Sequence, residues 1–209
     1  MAGLEHAVPC GAPFLADGAV PQAAGAARAR QTAHRRDRRR LRRLPPRRGT
    51  GHAGPSGLSE AAFHGCKVAL FFGDRLLITL RDDRADIPFP AHWDLPGGGR
   101  EPGETPWQTL AREAEEEVGL DLDRAEVLWR VCRVATHIAD AMVWFYVAAM
   151  PEGAERDILF GDEGTAWALV PPERIFLLDK VVPSHLSRLE QYRTLVADWG
   201  GAVDRAHWD

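Results

Sequence analysis

Long apolar runs are missing from this 209-residue chain, which leaves no core for a secretory signal peptide and no membrane-spanning helix. Cysteine is scarce, and Cys10, Cys66 and Cys132 show no C-x2-C spacing. That pattern excludes a zinc ribbon or a disulfide framework and fits buried thiols in a reducing, cytoplasmic setting. None of the eight histidines stands at metal-ligand spacing. His92 and His137 are candidates for lining a ligand cleft, with a structural role as the alternative. No Ser-His-Asp order or nucleophile elbow occurs, so the common serine-hydrolase arrangements drop out.

Aromatic and β-branched residues are nearly absent from residues 1–60, which are rich in Ala, Gly, Pro and Arg. Such a segment buries too little apolar surface to offset its ordering entropy and is expected to be disordered. Its eleven arginines all fall between Arg28 and Arg48, against four acids, for a net charge of +7. With the whole chain at −4, residues 61–209 carry −11. The run "RRDRRRLRRLPPRR" has three open readings: contact with nucleic acid or anionic lipid, a targeting segment, or an extension without a functional role.

Residues 61–209 have the length of one domain with a sizeable core. "CKVALFF" and "RLLITLR" read as a hairpin turning at Gly73-Asp74. "HWDL" reads as a short strand. "EVLWRVCRVATHI" and "MVWFYVAAM" read as two longer strands with a turn near Ala139-Asp140, and "TAWALV" as a further short one. "PPERI" opens a brief helix, and "SHLSRLEQYRTLVADW" makes an amphipathic terminal helix.

Between these strands lies a helix with clear punctuation. Thr105 is an N-cap, Pro106 suits the first helical position, Gln108 completes a capping box, and Gly119 ends the helix. Trp107, Leu110, Ala111, Ala114 and Val118 gather on its packing face. "REAEEEVGL" then crowds Glu113, Glu115, Glu116 and Glu117 into the C-terminal half. The helix dipole disfavours negative charge there by roughly 0.3–1 kcal/mol per exposed group. Glu113, Glu116 and Glu117 share one strip, and Glu115 points elsewhere. A solvated acidic face does not explain this convergence, whereas a bound hard cation such as Mg²⁺ does.

The wider run "PGGGREPGETPWQTLAREAEEEVGL" resembles the Nudix box, G-x5-E-x7-R-E-U-x-E-E-x-G-U, with U a bulky aliphatic residue. Gly98, Glu104, Arg112, Glu113, Glu116, Glu117, Gly119 and Leu120 fall in register. Seven fixed positions would match by chance on the order of once in 10⁸ tries. Ala114 departs from the pattern, and its small side chain is expected to weaken packing under the helix. A Walker-type phosphate loop is the poorer reading, because the glycine loop has no lysine and acids dominate.

The resemblance implies an α+β fold, a Nudix-type α/β/α sandwich with a mixed sheet between helices, over approximately residues 64–195. It implies a metal-dependent hydrolase of nucleoside diphosphate derivatives using Mg²⁺ or Mn²⁺. Glu116 and Glu117 would be the principal ligands, with Glu113 and the carbonyl of Gly97 or Gly98. Arg112 would orient a neighbouring carboxylate and Glu104 would support the site. The base is either Glu113 or an acid in a later loop, for which Glu163 in "GDEGTAW" is the match. Trp93, Phe89 and Trp144 are candidates for stacking on a base, or alternatively core or rim aromatics. The approach "RDDRADIPFPAHWDLPGG" is similar to that of the MutT-type group, which acts on nucleoside triphosphates, including oxidised ones. ADP-ribose or a nucleotide sugar is the second substrate reading. A non-catalytic module binding RNA through the Arg-rich arm is the third. No membrane partner is expected, and the family allows a homodimer.

Overall fold

The computed structural model describes residues 63–135, 138–204 and 207. The expected N-terminal segment, Cys10 and His137 lie outside the described residues.

Among the described residues, six strands form one mixed sheet: β1 (Gly65–Phe72), β2 (Arg75–Leu80), β3 (Trp93–Asp94), β4 (Glu126–Val134), β5 (Met142–Met150) and β6 (Ala166–Val170). β1 and β2 make the expected hairpin, with Phe72 opposite Arg75 across the Gly73-Asp74 turn. Leu76 pairs with Phe71 and Val170, and Thr79 with Asp94 and Trp167. β6 therefore holds one edge of β2, while β1 and then β3 share the other. This fork opens the sheet where the glycine loop enters.

β1 runs parallel to β5, from Gly65 opposite Val143 to Phe72 opposite Met150, and β4 continues antiparallel beyond it. Both central strands are buried along nearly their whole length. Their near-continuous apolar sequences follow from being covered on both faces.

Helix α1 (Pro106–Val118) covers one face and helix α2 (Pro183–Leu195) the other. Alternation along β1 divides its side chains between them. Cys66, Val68 and Leu70 meet Leu110, Ala114 and Val118 of α1. Ala69 and Phe71 join Trp129, Phe145, Leu189 and Tyr192 on the opposite side. This is the sandwich implied by the Nudix resemblance. Ala114 is fully buried, and Trp107 packs on Tyr146 with ring centroids 5.5 Å apart in the same layer. Aromatic bulk thus lies beside the small residue.

The ends of α1 follow their local chemistry. Thr105 Oγ1 accepts from Gln108 N–H at 3.3 Å, and Gln108 Oε1 accepts from Thr105 N–H at 2.9 Å. Gly119 is left-handed, at φ 71°, and its N–H and that of Leu120 donate to carbonyls of the last turn. α2 is less simply amphipathic than expected. Its buried side chains are His185, Arg188, Leu189 and Tyr192, a single face at i, i+3, i+4 and i+7 that is half polar. The polar half faces a cavity instead of the apolar core.

Candidate functional site

The glycine loop docks on the start of β1. Cys66 N–H donates to the Gly98 carbonyl at 2.9 Å, and Val68 N–H to the Pro96 carbonyl at 2.9 Å. Gly97 has φ 127°, where a side chain is strained, and a Cβ there would overlap the Cys66 carbonyl. A Cβ on Gly98 would overlap the Glu113 carboxylate. Glycine at these positions lets the loop lie directly on the acids of α1.

Arg112 joins four parts of this site. Its Nε and Nη2 donate to the two oxygens of Glu104, at 2.8 and 3.2 Å. Nη1 donates to Glu113 at 2.6 Å and Glu116 at 3.2 Å, and Nη2 also reaches the Gly99 carbonyl at 2.7 Å. Glu104 accepts as well from Thr109 Oγ1 and the Glu101 N–H, both at 2.9 Å. Desolvation pushes the Glu104 carboxyl upward, but these hydrogen bonds outweigh it and hold the group below its ordinary value. Glu104 thus fixes the Arg112 guanidinium in place.

Glu117 is buried, and among the described residues its hydrogen-bond donor is the Gly97 N–H, at 3.1 Å. Burial raises its carboxyl to about 8; Lys67 and the Gly97 N–H oppose this, while the charges of Asp94 and Glu163 add to it. Glu113 is also raised, first by desolvation, against the pull of Arg112. Glu163 is brought in by the segment after β5. Leu159 N–H and Gly161 N–H donate to the Val118 and Glu117 carbonyls at 2.8 and 2.6 Å. They thereby cap the open C-terminal carbonyls of α1. Thr165 N–H then donates to the Leu80 carbonyl on β2 at 2.8 Å, so Glu163 is suspended between α1 and the sheet.

Two adjoining cavities meet at these groups. One, of about 370 Å³, is lined by Gly97, Gly98, Glu113, Glu117 and Glu163 and extends to α2. The other, of about 440 Å³, runs over Arg81, Asp94, Glu117, Asp162 and Glu163. Of Glu113, Glu116 and Glu117, the first and the last line the 370 Å³ cavity. Glu116 is more exposed and turned to Arg112, Glu115 is exposed, and no three Asp, Glu, His or Cys side chains among the described residues close around one point. Arg112 accounts for this by drawing Glu113 and Glu116 toward itself. The donor set still fits a divalent hard cation: carboxylate oxygens, backbone carbonyls, and a buried Glu117 carboxyl whose ionised form the surrounding groups do not fully compensate.

The aromatic candidates separate. Phe89 lines the 370 Å³ cavity, held at φ 53° in the loop before β3. Trp93 packs half-buried in the core layer beneath α2, because its neighbour Asp94 takes the cavity side. Trp144 corrects the stacking expectation: it is buried among the residues under α1, with Arg130 over its ring at 5.1 Å. His92 is occupied by the Pro90 carbonyl at 2.8 Å.

A polar network that sequence reasoning missed lies under the cavity. Asp94 Oδ2 accepts from Lys67 at 2.9 Å and Arg81 at 2.7 Å, and Oδ1 from the Leu95 N–H at 2.7 Å. His185 Nε2 stands 2.5 Å from Oδ1. Desolvation opposes ionisation of Asp94, yet Lys67 and His185 hold its carboxyl well below the ordinary value. Burial pushes the His185 imidazole down against the opposing pull of Asp94, and Nε2–H donates to the carboxylate. The available signal was a lysine inside the apolar run "CKVALFF", a position that requires a buried acid as partner.

A mixed sheet between two helices, with a glycine loop and an acid-bearing helix closing one cavity, defines a Nudix-type hydrolase. The NUDIX domain model matches residues 67–192, and the chain belongs to the Nudix family. It is 35% identical over 133 residues to the nucleoside triphosphatase NudI of Salmonella arizonae, covering 60% of this chain and 93% of that one. NudI of Salmonella schwarzengrund is 35% identical over 121 residues, 54% of this chain and 84% of the relative. Among solved structures, the MutT protein of Methanosarcina mazei superposes with a TM-score of 0.52 at 19% identity, covering 66% of this chain and 97% of that one. That likeness concerns the fold.

Proposed function

We propose that this Nudix hydrolase converts nucleoside triphosphates to monophosphate and pyrophosphate with Mg²⁺ or Mn²⁺ bound. The observation that carries the reading is the buried Glu117 carboxylate, set against the glycine loop and facing the cavity shared with Glu113 and Glu163. The substrate class is supported by the 35% identity to enzymes named nucleoside triphosphatase.

Glu113, Glu116, Glu117 and the carbonyl of Gly97 or Gly98 would hold the cation. When bound, it neutralises charge developing on the phosphoryl oxygens. Arg112 orients Glu113 and Glu116, and Glu104 locks Arg112. Glu163 is the better placed of the two candidate bases. Glu113 has an oxygen engaged by Arg112 at 2.6 Å, whereas Glu163 is exposed to the cavity and makes no hydrogen bond or ion pair among the described residues. Its carboxylate takes a proton as water oxygen attacks phosphorus. The phosphoanhydride P–O bond breaks, and the electron pair leaves with pyrophosphate.

The test is an assay of the full chain with Mg²⁺ or Mn²⁺ against nucleoside triphosphates, oxidised nucleotides, ADP-ribose and nucleotide sugars, with products identified. Pyrophosphate and monophosphate should appear from triphosphates, and the double variant Glu116→Gln/Glu117→Gln should lose that activity. Turnover confined to ADP-ribose or nucleotide sugars overturns the substrate class. Activity retained in the double variant overturns the site.

A further inference from the structure

Three cationic side chains, Lys67, Arg81 and Arg188, line the 370 Å³ cavity, and two are accounted for. Lys67 and Arg81 both pair with Asp94. The third, Arg188 on α2, is only 6% exposed. Among the described residues no carboxylate, carbonyl or hydroxyl pairs with it, and its recorded contact is the Phe145 ring, 5.6 Å from the guanidinium carbon. A buried cation without a counter-ion costs several kcal/mol, a cost that a fold does not ordinarily carry without use.

The surroundings say what Arg188 faces. Arg133 and Cys132 on β4 and His185 on its own helix interact with it electrostatically. Arg188 shares the wall of this cavity with Glu113, Glu117 and Glu163 and pairs with none of them among the described residues. The cavity wall also includes Ala135, Ile138, Val143 and Phe89, apolar surface suited to a flat ring. Seated by its phosphates at the acids, a nucleotide extends its base toward this apolar surface.

We propose that Arg188 is a specificity-determining residue that reads the base, selecting an edge with a keto oxygen over one with an amino group. This rests on the nucleotide reading above. A guanidinium has donors only. Guanine offers it O6 and N7, and uracil or thymine offers O4. Adenine and cytosine place an amino donor where the keto oxygen would be, so the guanidinium loses that bond and keeps at most adenine N7.

The test measures kcat/KM of the full chain with Mg²⁺ for GTP, ATP, UTP and CTP and their deoxy forms. Wild type, Arg188→Met and Arg188→Lys are compared. Each ratio is taken within one preparation, so loss of folded protein cancels. Wild type should favour GTP over ATP and UTP over CTP by about tenfold to a hundredfold. Both ratios should fall toward one in Arg188→Met and partly in Arg188→Lys, which keeps charge but not the fork. Equal wild-type rates overturn the proposal while the triphosphatase reading stands. So does a uniform drop for all nucleotides with ratios unchanged, which marks a phosphate contact. No turnover of any triphosphate overturns both readings.

Discussion

Glu104 and Arg112 meet as a fork, Nε to Oε1 at 2.8 Å and Nη2 to Oε2 at 3.2 Å, and through it the loop before α1 controls the acids upon α1. Such bidentate pairs fix orientation as well as charge. Glu104→Gln keeps the shape and removes one ionic partner, releasing Arg112 from its aim at Glu113 and Glu116. Activity should fall about 10–100-fold, as for other groups that orient metal ligands. Mg²⁺ titrations of activity, with circular dichroism to confirm folding, would measure it. A folded Glu104→Gln variant within twofold of wild type would mean that the fork does not position the acids.

The raised Glu117 carboxyl sets a pH dependence in chelated protein. The groups facing it are Lys67 from β1, Asp94 from β3, Glu163 from the following loop and the Gly97 N–H. Its folded value is about 8 against an ordinary 4.5, so the folded chain binds the proton more tightly than the unfolded chain. The stability this contributes is fully present below about pH 4.5 and is lost as pH rises through 8, by no more than about 5 kcal/mol. Relative to Glu117→Gln, wild type in chelator should lose Tm between pH 5 and 8. Added Mg²⁺ should raise wild-type Tm more at pH 8 than at pH 6. Parallel Tm curves for the two proteins would refute the assignment.

Local chemistry made α1 legible in the sequence, because a capping box, a first-turn proline and a C-terminal glycine act within a few residues. The hairpin at Gly73-Asp74 was legible for the same reason. The glycines and acids of the box kept their spacing, so their approach could be read. The Asp94 network could not: its partners lie 27 and 91 residues away, and tertiary packing alone joins them. Trp144 shows the other limit. Both faces of β5 are covered, so alternation along that strand does not mark which side meets a ligand.

Asp94 is buried with four donors on its two oxygens, so its ionised form belongs to the folded state. Asp94→Asn leaves Lys67 and Arg81 without a counter-charge and should cost on the order of 3–5 kcal/mol at pH 7. Urea unfolding would measure this. The folded value lies well below the ordinary 3.8, so the contribution is present above about pH 4 and is lost as pH falls through the lower folded value. The gap between wild type and Asp94→Asn should therefore narrow on acidification below pH 4. A gap independent of pH would place the cost in packing instead.

Glu163 and Glu113 border the same cavity but are held differently, and their variants should separate. Glu113→Gln removes an oxygen donor and an Arg112 partner together, so both metal affinity and turnover should fall. Glu163→Gln removes a proton acceptor that takes no part in the Arg112 web. Its kcat should fall about 10²–10⁴-fold, the usual contribution of a general base, while half-saturating Mn²⁺ stays near the wild-type value. Mn²⁺ binding followed by electron paramagnetic resonance, beside steady-state kinetics, would distinguish the two. If Glu163→Gln weakens Mn²⁺ binding and leaves kcat at saturating metal intact, Glu163 is a ligand and the proton goes to Glu113.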